Sequence, residues 1–239
     1  MTPITASDDP IATLRNGKEG VREWNRRRKV GEPMPDLTGV DLRGAKLAGI
    51  ILAGAQLSNA DLCEADLSNA DLEGAELIFA RMNNVNLRDA KLARAHLIAA
   101  DMSGANLEGA VLTSSQLIKA HLSGANCAQA HFQAADLSQA DLSHADCTAA
   151  DFSNALLVDA NLTGTVLRSV NLNNTSVIGV KYNRRKLICR GIRAPPGAHD
   201  RTRPRGRVDG GLDTARALAG GGARSEERRV GKECRSRWS

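Results

Sequence analysis

Four histidines in the middle of the chain, His96, His121, His131 and His144, are the side chains best suited to metal ligation or proton transfer. A neutral imidazole offers a lone pair and titrates near neutrality. Cys127 and Cys147 offer sulfur for a metal or, as thiolates, a nucleophile. The other three of the five cysteines are scattered, and no CxxC or CxxH spacing marks a zinc site. The acids are more regular. Asp41, Asp61, Asp101 and Asp141 recur at multiples of twenty residues, with Arg81 and His121 in the places between, while Asp61, Asp66, Asp71 and Glu76, and again Asp136, Asp141, Asp146 and Asp151, follow one another at intervals of five. Carboxylates do acid–base work when two face one pocket. No Ser–His–Asp set and no glycine-rich phosphate loop accompanies them. Whether any of these groups converge depends on the element that carries them.

That element is an internal repeat. Every fifth residue from Leu37 to Tyr182 is apolar or nearly so: 22 of these 30 positions are Leu, and the rest are Met82, Met102, Cys127, Phe132, Cys147, Phe152, Val177 and Tyr182. Two residues before each lies a second series, Ala at 21 of 30 positions. No insertion breaks the register. A period of five fits neither a helix at about 3.6 residues per turn nor a strand at about 2.0. Leu and Ala favour helix, so propensity alone misleads here. The pattern requires a backbone that turns a corner every five residues, and four corners close a square coil of twenty. The small residue and the Leu point inward, and the other three point out. Stacked coils pair as parallel ladders about 4.8 Å apart, and seven coils make a rod of roughly 35 Å. Special residues support the twenty-residue coil: Met82 and Met102, Cys127 and Cys147, and Phe132 and Phe152 each stand twenty apart, as do the outward Asn86, Asn106 and Asn126. The core candidates are therefore Leu37, Leu42, Leu62, Met82, Met102, Leu107, Cys127, Phe132, Cys147 and Phe152.

Segments such as Ala60-Asp61-Leu62-Cys63-Glu64, Ala65-Asp66-Leu67-Ser68-Asn69 and Ala140-Asp141-Leu142-Ser143-His144 resemble the A(D/N)LXX unit of pentapeptide repeat proteins. The resemblance implies an all-β solenoid, a right-handed quadrilateral parallel β-helix. It also implies a binding protein rather than an enzyme. The family includes quinolone-resistance proteins that bind DNA gyrase by presenting a negatively charged rod of B-DNA-like width.

The repeat spans 36–183, between an N-terminal lead-in and helical cap at 1–35 and a basic tail at 184–239. Asp9-Pro10 begins a helix, with Asp as N-cap and Pro in the first turn. Ile11, Leu14, Val21 and Trp24 are placed to cover the first coil, and the segment Gly20–Arg27 resembles the lead-in before bacterial pentapeptide repeats. Arg26-Arg27-Arg28-Lys29 reads as a solvated helix end, since no aromatic interleaves with it. After Tyr182, Asn183–Arg193 resembles the closing segment of some family members. Beyond it, Pro, Gly and Arg without periodicity predict disorder. Residues 224–239 resemble the translation of a short-read sequencing adapter, so the expectation is an artefactual terminus with the native one lost. The frame of 195–223 stays open.

The formal charge of +5 misleads, because residues 36–183 hold 16 acids against 9 bases while residues 184–239 hold 16 bases against 6 acids. The tail's charge is therefore no argument for nucleic-acid binding, and no direct nucleic-acid binding is expected. No stretch approaches the roughly 18–20 apolar residues of a membrane span. The start, Met1 to Pro10, lacks a secretory signal, and the cysteine pattern suits a reducing cytoplasm.

On a square coil His96, His121 and His131 lie on three different sides and cannot converge, and His144 also points out. Cys127 and Cys147 stack inside as thiols, with no His on their side to activate them. A filled solenoid leaves no deep cleft. The expectation is a non-enzymatic scaffold without cofactor or metal, whose outward residues bind another protein. The alternative is a DNA mimic directed at gyrase. Asp41, Asp61, Asp66, Asp71, Asp101, Asp136, Asp141, Asp146 and Asp151 are the candidate surface in either case. Phe79 is a candidate anchor, in an outward slot where Gly or Asn is more usual. The repeat leaves the oligomeric state open, and a dimer is compatible with it. Leu107→Asp is expected to destabilise by about 4 kcal/mol or more, because it buries an unpaired charge. Asn106→Ser should cost less than about 0.5 kcal/mol. Denaturant unfolding of both checks the assignment of inward and outward positions, and equal stability would defeat it.

Overall fold

A chain that turns every five residues must find a partner for each backbone N–H. One unit shows how it does so. In Ala60-Asp61-Leu62-Cys63-Glu64-Ala65, Asp61 N donates to Val40 O of the preceding coil at 2.9 Å. Leu62 N donates to Arg81 O at 2.7 Å and Glu64 N to Asn83 O at 2.9 Å, both in the following coil. Ala65 N closes the turn on Leu62 O at 3.1 Å. The fifth donor, Cys63 N, is met by the Asp61 side chain at 3.2 Å, an Asx turn. The third residue of each β-turn has positive φ, the sign a type II turn requires there. Glycine supplies it at Gly44 (φ 62) and Gly104 (φ 68), and Asn at Asn59 (φ 59) and Asn69 (φ 57).

The computed structural model describes residues 9–182. All of them belong to one unit, Met1–Arg203. The expectations made for Asn183–Arg193, for the tail 184–239 and for the adapter-like 224–239 lie outside the described residues. Parallel bridges twenty residues apart run without a break from Asp41↔Asp61 to Leu156↔Ser176. They end in the paired strands β1 (Asn161–Leu162) and β2 (Lys181–Tyr182). The ladders are thus mostly one residue long on each side of the coil. A turn every five residues leaves no room for a longer strand.

The inside is filled. From Leu42 to Leu157 each central side chain is at most 1% exposed, and the Ala series beside it is equally closed from Ala55 to Ala160. Phe132 and Phe152 stack with ring centroids 4.7 Å apart and planes 7° from parallel. Where a hydroxyl replaces Ala inside, the backbone absorbs it: Ser115 Oγ donates to Leu112 O at 2.7 Å and Thr165 Oγ1 to Leu142 O at 2.8 Å.

Two helices precede the coils: α1, Pro10–Arg15, and α2, Gly17–Lys29. The Asp9 side chain accepts from Ile11 N at 2.9 Å and starts α1. Leu14, Val21 and Trp24 are buried in the same core as the coils, whereas Ile11, expected to cover the first coil, is 36% exposed. The first coil has no coil below it, so its edge groups would lack partners. Side chains of the helices supply them. Arg15 Nη2 donates to Asp41 O and Trp24 Nε1 to Ile51 O, each at 2.7 Å. Asn25 donates to Gly49 O at 2.9 Å and accepts from Ile51 N at 2.8 Å.

Outward positions are also linked. Asn86 donates to Asp66 at 2.8 Å, Asn106 to Asn86 at 3.3 Å and Asn126 to Asn106 at 3.1 Å. Glu108 N donates to Asn106 Oδ1 at 3.2 Å as well. Asn106→Ser therefore removes ladder bonds, and its expected cost rises to about 1 kcal/mol. Trp24→Phe leaves the Ile51 carbonyl without its donor and should cost about 1–3 kcal/mol in denaturant unfolding. Ala134 holds φ 56 without a glycine. Ala134→Gly should raise stability by roughly 0.5–1 kcal/mol, because the left-handed conformation is strained for Ala.

Candidate functional site

The ten core candidates all lie inside. Leu37, Leu42, Leu62, Met82, Met102, Leu107, Cys127, Phe132, Cys147 and Phe152 are each at most 1% exposed. Cys63, Cys127 and Cys147 are free thiols. A hydrogen bond with Cys127, together with burial, pushes the Cys147 thiol well above its ordinary value. A thiol held protonated inside a packed core is a poor nucleophile.

The histidines stand apart. In the ladders His96 lies between Glu76 and Gln116, His121 between Asp101 and Asp141, and His131 between Val111 and Asp151. These are three different sides of the coil. His144 sits at the positive-φ turn position (φ 60) and is exposed. Among the described residues no group of three or more His, Cys, Asp or Glu side chains is arranged to hold a metal ion.

The outward aspartates have a local task that the sequence reading missed. Asp41, Asp61, Asp66, Asp71, Asp101, Asp136, Asp141, Asp146 and Asp151 each accept, through Oδ1, the backbone N–H two residues on, at 2.8–3.2 Å. The signal was present: an Asp or Asn directly before the Leu, with a turn residue after it, is the Asx-turn arrangement. One carboxylate oxygen is thereby committed to the coil, and the other faces outward. Near the N-terminal end that second oxygen is often paired with a cation. Arg81 meets Asp61 at 2.6 Å and Arg43 meets Asp41 at 2.8 Å, while Arg94 pairs with Glu73. No described Lys, Arg or His forms an ion pair with the later ring of Asp136, Asp141, Asp146 and Asp151.

Three of the four bases that end α2, Arg26, Arg27 and Arg28, have partners within the chain. Arg26 and Arg27 both hydrogen-bond Glu23 at 2.8 Å, which lowers the Glu23 carboxyl to about 2. The Arg28 guanidinium lies 5.0 Å from the Trp24 ring centroid. A cleft lined by Arg15, Asp41, Arg43, Lys46, Cys63 and Glu64 opens between the start of α2 and the first coils.

One side of the coil differs from the others. Its units are centred on Leu37, Leu57, Leu77, Leu97, Leu117, Leu137, Leu157 and Val177. It carries Phe79 at 60%, Leu156 at 44% and Ile178 at 62% exposure. Between these lie the half-buried Ile78, Ile98, Ile118 and Val158. The sequence reading singled out Phe79 alone, although Ile78, Ile98 and Ile118 share the twenty-residue spacing that revealed the Met and Cys pairs.

The carboxylates make stability depend on pH. Hydrogen bonds from the Arg43 side chain and backbone hold Asp41 below the usual range. At Asp101 and Asp151 burial acts in the opposite direction and is outweighed. The Asn83 and Ser103 side chains with Ser103 N lower Asp101. Ser153 N–H and side chain, Gln133 and Asn171 lower Asp151. A folded-state value below the unfolded one contributes stability above about pH 4, which is lost as pH falls through the folded value. The midpoint of thermal unfolding should therefore hold steady from about pH 7 to 5 and drop below about pH 4. Asp151→Ala should cost about 1 kcal/mol at neutral pH, and Asp151→Asn less, since Asn keeps the Asx acceptor.

The model of the family described as pentapeptide repeats matches in eight copies, over residues 36–62, 50–89, 90–126, 112–146, 120–157 and 145–181. No curated protein matches the sequence. Among solved structures, the chain is similar to HetL, a pentapeptide repeat protein involved in heterocyst differentiation regulation from the cyanobacterium Nostoc sp. strain PCC 7120. The identity is 26% over 65% of this chain and 91% of that one, with a TM-score of 0.36. It is also similar to a trypsin-treated form of QnrB1, a plasmid-mediated fluoroquinolone resistance protein, at 18% identity over 64% of this chain and 87% of that one, with a TM-score of 0.45. A third is the pentapeptide repeat protein Rfr23 from the cyanobacterium Cyanothece 51142, at 28% identity over 46% of this chain and 61% of that one, with a TM-score of 0.20. The matched segments together span residues 36–181, more than half of the chain, and the protein belongs to the pentapeptide repeat family of right-handed, four-sided β-helices.

Proposed function

We propose that this protein is a non-enzymatic scaffold that presents a rigid surface to a protein partner. About seven coils make that surface, and the α1–α2 pair acts as its N-terminal cap. The filled interior is the observation that carries the reading. With every central side chain from Leu42 to Leu157 at most 1% exposed, nearly all of the coils' polar side-chain chemistry, the Ser115 and Thr165 hydroxyls excepted, is displaced to the outside. There it is held by ladders such as Asp66–Asn86–Asn106–Asn126. A surface ordered in advance loses little entropy when a partner docks. The separation of the histidines onto different sides supports a role other than catalysis. The scattered, free cysteines support a reducing, cytoplasmic setting. Among the described residues no helix is long and apolar enough to cross a membrane.

A second reading, a DNA mimic that binds gyrase, draws its support from the ring of Asp136, Asp141, Asp146 and Asp151. Against it, Arg43 and Arg81 interleave with Asp41 and Asp61 and cancel charge where the rod begins. The two readings separate in a supercoiling assay. On the scaffold reading the purified protein leaves gyrase unchanged at micromolar concentration. Inhibition, or protection of gyrase from a quinolone, would favour the mimic instead.

A further inference from the structure

The apolar side of the coil is the feature that folding leaves unexplained. Phe79 N donates to Ile98 O at 3.0 Å and Ala99 N to Ile118 O at 2.9 Å, so the turns that carry Ile78, Ile98 and Ile118 stand one above another. Farther along the same side, Asp159 N donates to Ile178 O at 2.8 Å and places Ile178 above Val158. On the other three sides the large aliphatic residues in outward slots are Ile51, Val111 and Val166, and Ile51 is bonded to Trp24 and Asn25 of α2. Phe79 adds a second oddity. It shares its positive φ (57) with the third residue of every turn, but among the described residues it is the one large apolar side chain at such a position, and it is 60% exposed. A bulky residue kept in a strained conformation without packing in return points to a use outside the fold.

The dimensions select the occupant. A side with about three extended residues across it is roughly 10 Å wide, and its rungs rise about 4.8 Å each over some 30 Å, an area on the order of 300 Å². That falls short of the roughly 800 Å² each partner contributes to a stable dimer, so a second copy is a poor fit. An α-helix is about 10 Å across. Its i, i+3 and i+4 side chains repeat every 5–6 Å or so, close to the spacing of the isoleucine rungs. The charges on this side, Asp36, Glu76, Asp136 and Asp159 against Lys119, leave it acidic at its margins. We infer that this side is the docking strip for an amphipathic α-helix of a partner protein, apolar along one stripe and flanked by basic residues, with Phe79 and Ile98 as its anchors. The inference rests on the scaffold reading and names the face that reading uses.

The probe is a fluorescent, helix-stapled peptide of about 20 residues with Leu at i, i+3, i+4 and i+7 and Lys beside the stripe. Binding to the full chain is followed by anisotropy, alongside a scramble of the same composition. Saturable binding of the patterned peptide over its scramble is expected. Phe79→Asn and Ile98→Ser should each weaken it at least tenfold, and Arg88→Ser, on another side, should leave it unchanged. Phe79→Asn should keep or raise the thermal midpoint, since Asn accepts the left-handed conformation, so lost binding cannot be ascribed to unfolding. No preference over the scramble, or equal loss in Arg88→Ser, overturns the inference. A photo-cross-linker placed in turn at Gln116, Ser123, Ala128 and Ala93 samples all four sides in the native host. Adducts from Gln116 that the patterned peptide competes away fit the inference. Adducts confined to other sides overturn it and leave the scaffold reading standing. None from any side overturns both.

Discussion

The demand that every N–H of a chain turning each fifth residue find an acceptor governs the rest of this structure. Two donors per unit reach the following coil, one reaches the preceding coil and one closes the turn. The last is met, in the units where an Asp or Asn precedes the central residue, by that side chain, as in Cys63 N to Asp61 Oδ1. Without that acceptor each corner would leave one amide to water, and with it the coil is satisfied unit by unit. The repeat motif is thus a hydrogen-bonding specification as much as a hydrophobic pattern. Ala and Leu fill the inside, the acid or amide completes the corner, and the turn residue supplies positive φ.

The same constraint shapes the surface. Because the inside holds its side chains in fixed positions, the outward residues repeat on rungs about 4.8 Å apart and combine into ladders. Asp66–Asn86–Asn106–Asn126 on one side, the Asp61–Arg81 pair on another and the isoleucine strip on a third are the products. Surface chemistry in such a molecule is laid out as rows along the coil. Along the coils, residues far apart in sequence meet when they are about twenty apart.

Much of this was legible in advance. The five-residue period, the inward and outward slots, and the stacking of Phe132 on Phe152 follow from spacing alone, because a periodic backbone converts sequence interval directly into distance. Other features were not. Ile11 is apolar and near Leu14, yet it stays exposed because a helix only six residues long buries one face. The aspartates looked like free surface charge, and their bonds to the backbone became visible only with the turn geometry in place. Arg27 looked solvated and is largely covered where it bonds Glu23, whereas Arg26, bonded to the same carboxylate, does stay exposed.

By itself the sequence determined the coil. An uninterrupted period of five, with Leu and Ala inside, admits no helix or ordinary strand, so fold and register came together. The tertiary structure decided how the ends and the outside are used. Trp24, Asn25 and Arg15 reach edge groups of the first coil from 24 to 27 residues away in sequence, contacts that no periodicity encodes. It also decided which acids are neutralised and which apolar residues align into a strip. Those outcomes depend on the three-dimensional neighbours of each side chain, whereas the repeat fixes only the direction in which each one points.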